Sequence, residues 1–115
     1  MSITIYHNSR CSKSNAALKE VTLNGEPFEV VNYLETVPSI AELKSIIVKL
    51  NLKPVDLVRK NEKVYLEQFK DRELSDEEWI KVLHENPILI QRPIIVNGDK
   101  AVIARSDDAI DEILA

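Results

Sequence analysis

The sequence has one cysteine, two histidines and no extended apolar run. A single cysteine excludes an intramolecular disulfide, and with two histidines it leaves too few ligands for a closed structural zinc site. No metal is therefore expected. No stretch approaches the roughly 20 apolar residues of a membrane span, so no membrane association is expected. The first residues, MSITIYHNSR, lack the charged start and apolar stretch of a signal peptide. That makes the cytoplasm the expected location. Positive charge is also scarce: 15 Lys and Arg stand against 19 Asp and Glu, for a net charge of −4. With a pI near 5.2, this argues against nucleic acid as a partner. Three tyrosines and one tryptophan, scattered along the chain, offer no base-stacking platform. An anionic ligand stays admissible, because a pocket's local charge can oppose the net charge.

What is present suits one globular domain. The chain has 115 residues, 44% of them hydrophobic and 30% charged, enough for a core and a soluble surface. A single domain over 1–115 is expected, and a monomer. ITIY (Ile3 to Tyr6) alternates and is β-prone, so it reads as a strand. Ala16, Ala17, Leu18 and Val21 lie in a helical stretch that Gly25 can close. PFEVVNYL (Pro27 to Leu34) returns to strand character, which makes a βαβ unit with a parallel pair. Ser39 and Glu42 have capping-box spacing. Leu43, Ile46, Ile47 and Leu50 then mark one helical face. KPVDLVRKN reads as a short helix opened by Pro54, and VYLEQF as a further turn. Ser75 and Glu78 repeat the capping box before WIKVL, where Trp79 is expected in the core. RPIIV and AVIA flank Asn97-Gly98-Asp99-Lys100, and Asn-Gly is a strong hairpin signal. Ser106 can cap a last helix with Ile110, Ile113 and Leu114 inward.

The resulting order is β-α-β, a helical block, then β-β-α. Without the block this is a thioredoxin-like α/β arrangement: a mixed four-stranded sheet with helices. The block, about 37–86, is a helical insertion between the second and third strands.

In that topology Cys11 falls at the start of the first helix. Unpaired backbone N–H groups and the helix dipole favour an anion there, and cysteine pKa falls at helix starts and beside cations. Arg10 and Lys13 flank the thiol, while Ser12 and Ser14 are small and offer hydroxyl donors. These residues describe an activated nucleophile with affinity for anions. Ser14 occupies the position where glutaredoxin-type C-x-x-C sites carry a second thiol. A resolving thiol must then come from elsewhere, with glutathione the obvious source.

IYHNSRCSKSN, YLETVPSIAEL, LVRKNE, NPILIQRPIIV and AVIARSDDAI, in this order, resemble the glutaredoxin-linked arsenate reductase family. RCSKS resembles its short bacterial branch. The likeness runs from Ile3 to Leu114 and implies the fold read above. It implies Cys11 as nucleophile and His7 as the residue that assists thiolate formation. It also implies Arg59, Arg92 and Arg105 as oxyanion-binding arginines, and Asn8, Ser12 and Ser14 around the nucleophile are expected to bind substrate with them. The guanidinium fork suits a tetrahedral oxyanion. Ser9 replaces a common proline and Asn15 a common arginine, which weakens the local positive field. Thioredoxin-like folds place a cis-proline before the third strand, so Arg92–Pro93 is expected cis.

The activity implied is reduction of arsenate to arsenite through a Cys11 thiol–arsenate adduct. Glutathione is the implied co-substrate, glutaredoxin the implied partner, and no bound cofactor is needed. A glutathione-dependent thiol-disulfide oxidoreductase with another substrate fits the same thiol and pocket. A redox-responsive regulator that binds RNA polymerase fits less well, because Ser14 removes half of the C-x-x-C switch such proteins typically carry.

Overall fold

The computed structural model describes residues 2–115. In chain order the elements are β1 (Ile3–His7), α1 (Ser12–Leu23), β2 (Phe28–Asn32), α2 (Ile40–Leu50), α3 (Lys63–Gln68), α4 (Asp76–Glu85), β3 (Ile94–Asn97), β4 (Lys100–Ile103) and α5 (Asp107–Leu114). Short 3-10 helices span Pro54–Leu57 and Pro87–Leu89. The chain divides into two compact units. One joins the residues up to Thr36 with Arg92–Ala115, and the other is Val37–Gln91.

The first unit holds a mixed sheet ordered β2-β1-β3-β4. β1 runs parallel to β2, with Ile5 opposite Val30, and antiparallel to β3, where Ile5 faces Ile95. β3 and β4 form the antiparallel hairpin. Helices α1 and α5 cover one face. Ile3, Ile5 and Ile95 from the strands meet Ala17 and Val21 of α1 and Ile110 and Ile113 of α5 there. Ile5, Ile95, Ala17 and Val21 are fully buried. Each large aliphatic among them contributes about 1.5–3 kcal/mol of burial, so β1 is held firmly up to its last residue, His7.

Local rules set the ends of these elements. Pro27 has no N–H to give a ladder, and β2 begins at Phe28. It stops at Asn32, whose carbonyl accepts the N–H groups of Glu35 and Thr36 at 2.9 and 2.8 Å. The strand is therefore shorter than the Pro27–Leu34 the sequence suggests. The hairpin turn uses the four residues the sequence suggests, Asn97 to Lys100. Asn97 ends β3 and pairs with Lys100, leaving Gly98 and Asp99 as the two loop residues. Gly98 takes φ +65°, the left-handed value this first loop position requires. After α1, Asn24 donates its N–H to the Glu20 carbonyl, and Gly25 at φ +83° ends the helix.

In the second unit α2 starts at Ser39, whose side chain accepts the Glu42 N–H. α4 starts at a reciprocal capping box between Ser75 and Glu78. Trp79 is buried and stacks on Tyr65, with ring centroids 6.3 Å apart. His84 in the last turn of α4 donates from Nδ1 to the Pro38 carbonyl at 2.8 Å, tying that helix to the entry of α2. The segment opened by Pro54 is a single 3-10 turn. The unit reaches Gln91 rather than Asn86, because Val58 bridges Ile90 and the Gln91 N–H bonds the Leu57 carbonyl at 2.9 Å. Among the described residues, no helix is long and apolar enough to cross a membrane.

Candidate active site

The site is built where β1 ends. After His7 the chain turns through Asn8, Ser9 and Arg10 to Cys11, and Asn8 shapes that turn. Its Oδ1 accepts the Arg10 N–H at 3.0 Å, and its carbonyl accepts the Cys11 N–H at 3.0 Å. Asn15 braces the turn from the helix side by donating from Nδ2 to the Ser9 carbonyl at 3.0 Å. Asn15 therefore has a task of its own where the resemblance leads one to expect an arginine.

Cys11 is the N-cap residue of α1, with φ −105° and ψ 121°. It is half-buried. No side-chain hydrogen bond closes the cap in the neutral thiol, so the amides of the first turn act on its charged form. Burial pushes the thiol up. Against it work the Ser14 amide, a hydrogen bond from Arg92, the Lys13 amide and the charge of Arg92, and the thiol ends below its ordinary value. Helix-start donors and a cation thus outweigh desolvation. The arrangement favours the thiolate form.

Arg92 precedes β3, and the Arg92–Pro93 peptide bond is cis. Its guanidinium hydrogen-bonds the Cys11 sulfur. Arg105 follows β4 and donates from Nη1 to the Arg92 carbonyl at 2.9 Å. The Ala104 N–H bonds the Pro93 carbonyl at 2.8 Å, so the two strand ends that carry the arginines are tied together. Arg92 is half-buried and Arg105 exposed. An anion can therefore reach Arg92 beside the thiol, with Arg105 tied to the Arg92 carbonyl. Lys13 and Arg105 border a cleft of about 340 Å³ that Asp107 also lines. Ser12 is exposed at the start of α1. Arg59 lies in the second unit, where its N–H bonds the Leu89 carbonyl at 2.7 Å and its Nε pairs with Glu62 Oε1 at 3.2 Å.

Two expectations change. The sequence reading gives Ser14 and Asn8 to the substrate, but both side chains turn inward. Ser14 Oγ accepts the Asn8 N–H at 2.9 Å and lies 2.7 Å from His7 Nδ1. The Asn8 carboxamide is engaged by Arg10 and, at a long 3.4 Å, by the buried Tyr33 hydroxyl. What Ser14 offers an anion is its amide. His7 is likewise buried and meets α1 through Ser14. Tyr33 is not legible in the sequence as part of this site, because nothing near it signals a partner at the Cys11 turn.

The pattern that defines the ArsC family matches residues 6–113, a span that includes Cys11 and all three arginines. The chain belongs to the ArsC family. It is 39% identical to the arsenate reductase of Haemophilus influenzae (strain ATCC 51907 / DSM 11121 / KW20 / Rd), over 99% of this chain and 100% of that protein. It is 40% identical to the uncharacterized protein YfgD of Escherichia coli (strain K12), over 97% of this chain and 96% of the other. The solved structure of an arsenate reductase from Vibrio cholerae superposes with a TM-score of 0.91 at 39% identity, covering 98% of each chain. The ArsC-family fold is thus the mixed four-stranded, thioredoxin-like one described above.

Proposed function

We propose that the protein reduces arsenate to arsenite, with glutathione and a glutaredoxin supplying the electrons. The observation that carries this reading is the Arg92 guanidinium hydrogen-bonded to Cys11, with Arg105 anchored on Arg92's carbonyl. A nucleophile and two permanent cations at one point suit a tetrahedral oxyanion. Full-length relatives named arsenate reductases support the choice of oxyanion. Arg59's share in oxyanion binding rests on the sequence resemblance.

The chemistry balances in four steps. The Cys11 thiolate attacks arsenic(V), an As–O bond breaks and the oxygen departs as water after protonation. Glutathione replaces a second oxygen on arsenic, again releasing water. The glutaredoxin thiolate then attacks the glutathione sulfur. The As–S electron pair falls onto arsenic, which becomes arsenic(III), and a glutaredoxin–glutathione disulfide leaves. Water finally displaces Cys11 from arsenic, releasing arsenite and the thiol. The chain's own residues hold the thiolate, neutralise the oxyanion and spread the charge of the departing oxygen.

The test is arsenate-dependent NADPH oxidation in the presence of glutathione, glutaredoxin and glutathione reductase. Turnover should need arsenate and should stop when glutathione is omitted. Equal turnover on thioredoxin alone would overturn the assignment of reductant. A Cys11–glutathione disulfide formed without arsenate turnover would point instead to a thiol reductase with another substrate.

A further inference from the structure

Among the described residues, the buried polar or charged side chains are His7, Asn8 and Ser14, at 5%, 6% and 0% exposure. Ser14 is hydrogen-bonded to each of the other two. Ser14 Oγ already accepts the Asn8 N–H, and its nearest further partner is His7 Nδ1 at 2.7 Å. A hydroxyl has one proton to place, and a buried one is rarely left unpaired. With Ser14 closed to solvent, the acceptor the structure offers that proton is His7 Nδ1. A nitrogen that accepts carries no proton of its own, so the imidazole is neutral and holds its hydrogen on Nε2. Burial agrees, since it keeps His7 below its ordinary pKa although a hydrogen bond to the Ser14 backbone pulls the other way. The Ser14 amide, meanwhile, is one of the two that favour the Cys11 thiolate.

We propose that Ser14 is a positioning residue for the Cys11 nucleophile, and that a neutral, Nε2-protonated His7 acts on the thiol only by holding Ser14. The ring fixes the hydroxyl, the hydroxyl fixes the first turn of α1, and that turn aims its amides at the sulfur. His7 then takes no proton from the thiol, because Nδ1 is occupied by Ser14. The inference rests on Cys11 being the nucleophile of the proposed function, but no arsenate enters it.

Two substitutions separate a positional ring from a proton-accepting one. Asparagine places a carboxamide atom where Nδ1 stood, and glutamine places one where Nε2 stood. His7→Asn should keep the pH midpoint of Cys11 alkylation close to wild type. His7→Gln and Ser14→Ala should each raise it by about one pH unit, a tenfold loss of thiolate below the midpoint. In the wild-type protein, nitrogen-15 NMR should show an acceptor Nδ1 and a protonated Nε2 at pH 7. Any other ranking of the two His7 variants would overturn the proposal. So would an imidazolium, or a proton on Nδ1, at that pH. If the variants fail to fold, the tautomer decides alone. Absence of arsenate turnover with this pattern intact would sink the proposed function and leave the positioning role standing.

Discussion

Cys11→Ser should abolish arsenate turnover while leaving the protein folded. The serine hydroxyl is not ionised near neutral pH, so nothing attacks arsenic to form the enzyme-bound adduct on which glutathione acts. Loss of a sole nucleophile costs at least about four orders of magnitude, so activity should fall to the uncatalysed background. Stability should move the other way. Position 11 has the extended N-cap backbone, with φ −105° and ψ 121°, and its side chain makes no cap bond to the helix. Serine is a favoured N-cap, and an added hydroxyl bond to the first turn is worth about 0.5–1 kcal/mol. An inactive variant that melts at or slightly above wild type is therefore expected in a coupled assay paired with thermal unfolding. Inactivity with unfolding would say nothing of chemistry, and retained turnover would remove Cys11 from the mechanism.

Arg92→Ala should produce the second-largest effect, on two readouts at once. The guanidinium gives the thiolate both a hydrogen bond and a charge. One charge-assisted hydrogen bond is worth about 1.5–3 kcal/mol, and 1.36 kcal/mol corresponds to one pKa unit. The Cys11 midpoint should therefore rise by about one unit or more. Arsenate or sulfate binding should weaken by about ten- to a hundredfold. Arg92→Lys should restore much of the thiol shift, because the charge returns. It should restore less of the oxyanion affinity, because an ammonium lacks the planar fork. Identical behaviour of Lys and Ala would reduce Arg92 to a structural residue. Wild-type oxyanion binding in Arg92→Ala would show that the pocket lies elsewhere.

These effects trace to features of different legibility. The βαβ start, the hairpin and the helix starts at Ser39 and Ser75 follow from spacing, turn residues and caps, all of which act within a few positions. The placement of Cys11 at a helix start follows from the same local rules. The two arginines beyond it could be proposed from sequence because antiparallel pairing brings the outer ends of a hairpin together. The inward turn of Ser14 could not. It depends on the Asn8 loop conformation and on a contact spanning seven residues from strand to helix. The Tyr33 hydroxyl reaches Asn8 across 25 positions, and only parallel pairing of β1 and β2 makes that contact possible. The end of the second unit at Gln91 likewise depends on a bridge from Val58 to Ile90, which no local pattern announces.

Alkylation of Cys11 by iodoacetamide across pH, with and without arsenate, tests most directly whether this thiol is an activated nucleophile inside an oxyanion site. The thiolate should form well below the ordinary cysteine value of about 8.5, so the rate should already be high at neutral pH and fall only as pH drops further. Arsenate should slow the reaction in a saturable way, because it occupies the space beside Arg92 and Arg105. An ordinary midpoint, with a rate indifferent to millimolar arsenate, would contradict the account.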